Sequence, residues 1–244
     1  MASFCWQQPR ICAIIHAGLP SAGQEVGSGM IPVLFENDDL LAVNKPEGLA
    51  AIPEGAKGRD CLLALLEAAG TGRLYIVHRL DKEASGVILF ARNAAAHKHL
   101  NEQFRQRSVR KTYVALVHGV IAANSGLIDQ PIREFGSGRM GVDLQRGKPC
   151  RTEFQVSERL AAYTLVQAYS LTGRRHQLRV HFYSLGHPIV GDRRYGDKAV
   201  QRAFPRLMLH AQEITFLLPT GEQVTVQAPI PESFWAVVAR SRKT

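Results

Sequence analysis

Leu74 to Asn93 reads LYIVHRLDKEASGVILFARN. Two apolar, β-branched runs, Leu74–Val77 and Val87–Ala91, bound a polar loop, and their composition and length predict strands. The loop is His78-Arg79-Leu80-Asp81-Lys82-Glu83-Ala84-Ser85-Gly86 and closes on a turn-forming Ser-Gly pair. Asp81 has an arginine on one side and a lysine on the other, and nearby positive charge favours an ionised carboxylate. A loop carried by two buried strands is where a rigid scaffold holds a reactive group. A lone H-R-L-D is equally compatible with an aspartate that caps a turn beside a solvated arginine. The rest of the chain has to decide.

Upstream, Leu34 to Asn44 suggests an early strand, broken by the acidic turn Glu36-Asn37-Asp38-Asp39 before Leu40–Val43. Residues 1–30 carry no usable period, end in SAGQEVGSG and are expected to form a loosely ordered tail. Cys61–Ala69 predicts a helix capped by Asp60 and stopped by Gly70. Downstream, Asn93 caps a helix to about Arg107, with Ala96, Leu100 and Phe104 on one face. Arg105, Arg107, Arg110 and Lys111 cluster where it passes to an alternating strand, Lys111–His118, with Tyr113 on one of its faces. Glu134 to Gly147 reads as a Gly/Arg-rich loop that reaches substrate or is simply mobile.

Arg151–Val156 and Tyr163–Tyr169 predict antiparallel neighbours. Thr172 is expected to cap a helix through Leu185, with Leu178, Phe182 and Leu185 towards a core and Arg175, Arg179 and Tyr183 on another face. A hairpin over Leu207–Leu217 and Gln223–Gln227 and a helix over Pro231–Arg240 complete the chain. Strands dominate, helices are interspersed, and neither a repeat nor a βαβ rhythm is present, which is an α+β pattern.

At 244 residues the chain can bury a sizeable core. Its 30 Lys+Arg against 21 Asp+Glu give a net charge of +9, an excess that suits a polyanion, since phosphate contacts release counterions. An anionic membrane surface would attract the same charge, but no basic amphipathic helix or long apolar run supports it, so nucleic acid is favoured and no membrane partner is expected. Cys5, Cys12, Cys61 and Cys150 form no C-x-x-C pair, so reduced thiols are the simplest account. Without a convincing secretory signal, the chain reads as soluble and cytoplasmic.

His78-Arg-Leu-Asp81 followed by Ser85-Gly86 resembles the signature loop of the RluA-type (large-subunit-rRNA A type) pseudouridine synthases. Further stretches match in order: Asn44-Lys45-Pro46-Glu47-Gly48-Leu49, Lys111-Thr112-Tyr113 with Ala115, and Thr172-Gly-Arg-Arg-His-Gln-Leu-Arg-Val-His181. The last continues into Gly186-His187-Pro188-Ile189, Gly191-Asp192 and Tyr195-Gly196. Ala84 departs from the family, which usually has a threonine there, and so lacks a hydroxyl that would fix the loop. The resemblance implies a mixed, mainly antiparallel sheet in two halves with a central catalytic cleft, filling residues 31–244. The absence of a patterned N-terminal module points to the catalytic-domain-only form.

The resemblance also implies isomerisation of uridine in rRNA or tRNA. The N1–C1′ bond breaks, the uracil turns over and C5 bonds to C1′, with no redox step, so no cofactor and no metal are expected. No Walker loop, dinucleotide fingerprint or zinc spacing is present, and His176 and His181 are five apart, one too many for one helical face. By resemblance, Asp81 is the catalytic carboxylate, as nucleophile or as base. Tyr113 stacks on the flipped base and helps move the C5 proton, and Arg179 pairs with Asp81. Arg79 contacts the backbone or fills the gap left by the extruded uridine. Lys45, Lys111, Arg174, Arg175 and His176 are further RNA-binding candidates. A monomer without an obligate protein partner is expected. A glycoside hydrolase would need a second carboxylate across the scissile bond, and only Glu83 stands near Asp81. A non-catalytic RNA-binding protein would explain the charge but not an acid at the centre of a basic site.

Overall fold

The computed structural model describes residues 14–16, 30–53 and 60–242. In chain order the strands are β1 (Ile14–His16), β2 (Met30–Glu36), β3 (Leu40–Lys45), β4 (Tyr75–Ile76), β5 (Ser85–Ala91), β6 (Arg110–His118) and β7 (Ser125–Asp129). They continue with β8 (Ile132–Glu134), β9 (Met140–Val142), β10 (Arg151–Arg159), β11 (Tyr163–Ser170), β12 (Leu209–Leu217) and β13 (Gln223–Gln227). The helices are α1 (Leu62–Leu66), α2 (Ala94–Gln106), α3 (Gln177–Ser184), α4 (Lys198–Arg202) and α5 (Glu232–Ser241).

Among the described residues, eleven strands form one sheet whose main path runs β1-β2-β3-β5-β12-β6-β11-β10-β7, with β4 on β5 and β13 on β12. Every pairing is antiparallel except β5 with β12, where Ser85 faces His210 and Gly86 faces Ala211. That parallel contact is the seam between the two halves, and both flanking strands are buried as a central strand must be. The expected fold class, α+β with a mainly antiparallel sheet in two halves, is what the chain adopts.

Gly86 makes the seam possible. Its φ is 119°, and a Cβ there would collide with the Ala211 carbonyl, so only glycine brings the two backbones this close. Register then lines up one row across the sheet: Lys45, Gly86, Ala211, Tyr113, Ala168 and Phe154 are successive cross-strand neighbours. Tyr113 and the strand that follows the Asp81 loop are therefore joined through a single intervening strand.

Helix α2 begins as its sequence requires, the Asn93 side chain accepting from the Ala96 amide, and buries Ala96 and Leu100. Three other expectations are corrected. The helix over 61–69 has Cys61, not Asp60, at its N-cap, and passes into a π-helical turn over Glu67–Thr71 where Gly70 turns left-handed. The 134–147 stretch is a hairpin of β8 and β9 rather than a plain loop. Helix α3 starts at Gln177 instead of Thr172, because the Gln177 amide takes over the local hydrogen bonding. Its oxygen accepts from Thr172 Oγ1 and the Arg174 amide, and its nitrogen donates to the Arg151 carbonyl and Thr152 Oγ1. Residues 172–176 are thereby held as a loop.

The faces of α3 differ from expectation too. Leu178 and Phe182 are buried, but Leu185 is exposed and Arg179 is inside. Phe182 packs edge-on against Phe154 of β10, which lays the helix over the second half of the sheet. Within the stretch expected to be a tail, Ile14–His16 pairs with Met30–Pro32, and the rest of that call falls outside the described residues.

Candidate active site

The 78–84 loop, the β6 strand and the 170–179 segment meet over the seam and enclose a cleft of about 700 Å³. The loop is fixed at both ends. At its start His78 is half-buried, its Nε2 accepts from the Leu89 amide at 2.9 Å, and its ring stacks on Phe104. Burial pulls this imidazole down to about 3, with Lys111 acting in the same direction, so it stays neutral. At its end the Ala84 amide donates to the Asp81 carbonyl, and the Ser85 hydroxyl lies 2.9 Å from His210 Nδ1. The hydroxyl missing at Ala84 is not needed to anchor the loop, because Ser85 supplies one.

Asp81 projects from this frame. Its Oδ2 accepts from Arg179 Nη1 at 3.2 Å, and the same nitrogen reaches Glu83 Oε2 at 3.1 Å. Arg179 leaves solvent almost completely, with 3% of its side chain exposed. Asp192 compensates it with a two-toothed grip, Nε to Oδ2 at 2.7 Å and Nη2 to Oδ1 at 2.9 Å. Burial opposes the guanidinium charge, but Asp192, then Asp81 and Glu83, more than offset it and leave the group firmly protonated. Glu83 is pushed up by burial and pulled further down by Arg179, with a net shift below the usual carboxylate range.

Tyr113 lines the same cleft from β6. Burial first, and Asp81 second, raise its phenol well above the ordinary value, so it remains a neutral hydroxyl. The structure thus brings Asp81, Tyr113 and Arg179 into one cleft from three distant parts of the chain.

The expected RNA contacts separate into groups. Arg79, Lys111, Arg174, Arg175 and His176 all line the cleft. Arg79 is exposed at its rim. Lys111 is drawn down to about 8 by burial, lies over the Phe104 ring and donates to the Thr172 carbonyl at 3.4 Å. Arg175 pairs with Glu134 of β8 at 3.0 Å, tying the β8–β9 hairpin to the cleft wall.

Lys45 is the correction. It is fully buried, and Nζ donates to the carbonyls of Pro46, Leu49 and Lys82 at 2.8, 2.8 and 3.1 Å. Burial draws it down to about 7 against the pull of Asp81, Glu83 and Glu47. A nitrogen so enclosed does not reach RNA; it staples β3 to the Asp81 loop from behind. His181 is likewise internal, its two ring nitrogens beside Thr152 Oγ1 and the Gln130 carbonyl.

Sequence reading missed Asp192 and Tyr195 as parts of the site, although both stand in its quoted motifs. An aspartate in Gly191-Asp192 announces no partner 13 positions away on a helix. Tyr195 is buried, with the Arg179 guanidinium 5.4 Å above its ring centre.

With this geometry in hand, comparison with known proteins is direct. A sequence profile described as RNA pseudouridylate synthase matches residues 39–184. Ribosomal large subunit pseudouridine synthase C of Pasteurella multocida is 37% identical over 242 residues, covering 93% of this chain and 73% of the relative. Dual-specificity RNA pseudouridine synthase RluA of Escherichia coli (strain K12) is 39% identical over 202 residues, covering 81% of this chain and 92% of the relative. Among solved structures, Human RNA Pseudouridylate Synthase Domain Containing 1 superposes with a TM-score of 0.74 at 31% identity, covering 91% of this chain and 98% of that one.

Proposed function

The chain belongs to the RNA pseudouridylate synthase family, and we propose that Asp81 is the carboxylate on which its uridine isomerisation depends. The protein is an RNA pseudouridine synthase, an isomerase acting on RNA. The assignment of roles within the cleft rests on one observation: Arg179, gripped by Asp192, presents its remaining nitrogen to Asp81 at 3.2 Å beside Tyr113.

A uridine in a helix or loop must leave its stack to reach a carboxylate at the bottom of a cleft. Arg79, exposed on the cleft lining, holds the backbone or the vacated position in this reading. The Tyr113 ring offers the extruded uracil a stacking surface. Asp81 then acts at the target nucleotide, as nucleophile or as base. The N1–C1′ bond breaks, the uracil turns, C5 bonds to C1′, the C5 proton leaves and N1 gains a proton, so atoms balance without a co-reactant. Tyr113, held as a neutral phenol, serves as a relay in that proton transfer rather than as a standing phenolate. Arg179 keeps Asp81 aimed and balances its charge throughout.

We take ribosomal RNA as the first substrate class, supported by the relatives named for the large ribosomal subunit, and transfer RNA as the second. In this reading the protein acts as a monomer in the cytoplasm. The test is tritium release from RNA labelled at uracil C5, with wild type and Asp81→Asn on separate rRNA and tRNA pools. Release by wild type alone, with RNA binding retained in the variant, is expected. Equal release by both proteins would overturn the assignment of Asp81.

A further inference from the structure

His176 enters the cleft wall in an unusual way. Its backbone is left-handed, with φ 54° and ψ 23°, a conformation uncommon for a residue with a side chain and concentrated at functional sites. The strained turn places the ring edge-on against Tyr195, centroids 5.7 Å apart, with Nδ1 2.8 Å from the tyrosine oxygen.

The hydrogen bonds around Tyr195 point to the position of the imidazole proton. The tyrosine oxygen already accepts from the Met140 amide at 3.2 Å, and the Arg194 guanidinium lies beside it. Burial holds the phenol protonated, so its own O–H must donate. Among the described residues the acceptor in reach is His176 Nδ1. A ring that accepts at Nδ1 and is neutral carries its proton at Nε2. Burial first, then Arg179, Arg175 and Arg194, hold the imidazole below its usual range against the pull of Asp81. Glu83 and Tyr195 also face it.

Nε2 has no partner among the described residues, and no buried side-chain nitrogen among them lacks one, so this nitrogen is open to solvent on a residue that lines the cleft. We infer that His176 is a substrate-contacting residue whose Nε2–H donates a hydrogen bond to a carbonyl oxygen of the uracil being isomerised. The inference rests on the reading of this cleft as the uridine site. A neutral donor suits a carbonyl better than a phosphate, which the surrounding arginines already serve. As the N1–C1′ bond breaks, the departing uracil gathers negative charge on its oxygens, and a preorganised donor gains strength at that moment. Tyr195 is then a positioning residue: it links the β8–β9 hairpin, through Met140, to the tautomer of His176.

The test combines single-turnover tritium release with nitrogen NMR of the ring. Wild-type protein labelled at histidine nitrogens should show His176 unprotonated at Nδ1 and protonated at Nε2; the opposite tautomer would overturn the inference without any variant. His176→Phe keeps a ring and removes the donor, and should slow release on the order of tenfold to a hundredfold while RNA affinity stays near wild type and the melting temperature falls modestly, since the Tyr195 hydroxyl loses its acceptor. His176→Gln restores a donor of similar reach and should recover most of that loss. Tyr195→Phe should yield a mixture of tautomers and an intermediate rate. Wild-type release by His176→Phe, or no recovery in His176→Gln with both variants folded, would sink the inference. Asp81→Asn run alongside separates the two readings: if it is silent while His176→Phe is unaffected, only the role of His176 fails, and if it is active the site assignment itself fails.

Discussion

Arg179 meets Asp81 with one nitrogen, at 3.2 Å, while Asp192 holds its other two donor positions at 2.7 and 2.9 Å. The orientation of the Asp81 carboxylate is thus set by a residue 111 positions further along the chain that never touches it. Asp192 also accepts from the Arg194 and Tyr195 amides, so its own position is fixed by the turn it caps. Removing one member of a buried ion pair strands the other. Asp192→Ala should therefore lower stability by about 3–5 kcal/mol. Asp192→Asn, which keeps the shape, should cost less yet still slow single-turnover release about tenfold or more by freeing Arg179. Urea unfolding and tritium release on the same preparations check both. An Asp192→Asn enzyme with wild-type rate would show that Arg179 needs no such grip.

Lys45 should behave as a structural residue. Lys45→Met retains the length and loses the donors, leaving the Pro46 and Leu49 carbonyls without this partner, while the Lys82 carbonyl keeps the Gly48 amide. A loss of about 2–4 kcal/mol is expected from acceptors left unsatisfied in the interior. RNA affinity by filter binding should stay unchanged below the melting temperature. A folded variant with weakened binding would restore Lys45 to the RNA surface.

The seam gives a third expectation. Gly86→Ala adds a methyl where the Ala211 carbonyl already lies, on a backbone at φ 119°. Strain and overpacking together should cost roughly 3 kcal/mol or more. Because Gly86 ends the Asp81 loop, activity should fall even at temperatures where the variant is folded. A melting curve overlapping wild type would mean that the two halves of the sheet slide apart freely.

Acid stability follows from two histidines, His210 buried and His78 half-buried. His78 is held to about 3 by burial and then Lys111, and His210 to about 4 by burial foremost, whereas in the unfolded chain both titrate near 6.5. Between those values the unfolded state binds more protons than the native one, so stability is complete above about 6.5 and is lost as pH falls. Each residue contributes a slope approaching one proton, about 1.4 kcal/mol per pH unit. In urea titrations between pH 7 and 4.5, His78→Gln should flatten the dependence by about one proton. An unchanged slope would show that His78 protonates freely in the folded protein.

What is local was legible in the order of residues. Alternation and β-branching placed the strands on either side of Asp81, the β6 strand with Tyr113, and the antiparallel pair β10–β11, because side-chain period and burial act between near neighbours. Asn93 announced α2 because a cap is satisfied within three residues. The family's motif order carried Asp81, Tyr113 and Arg179 to one site.

Tertiary structure alone decided the rest. The parallel seam joins residues 85–86 to 210–211, and the chain between them holds no local signal of that pairing. Thr172 looked like a helix cap, but its hydroxyl is spent on Gln177 and the helix starts later, at Gln177 behind a left-handed His176. Lys45 looked like a surface cation until the fold wrapped three carbonyls around it. Arg179 and Tyr183, four apart, seemed to share a face, yet one is buried on Asp192 and the other is exposed. Asp81 and Arg179 lie 98 residues apart, a distance across which periodicity conveys nothing and only packing brings charges together.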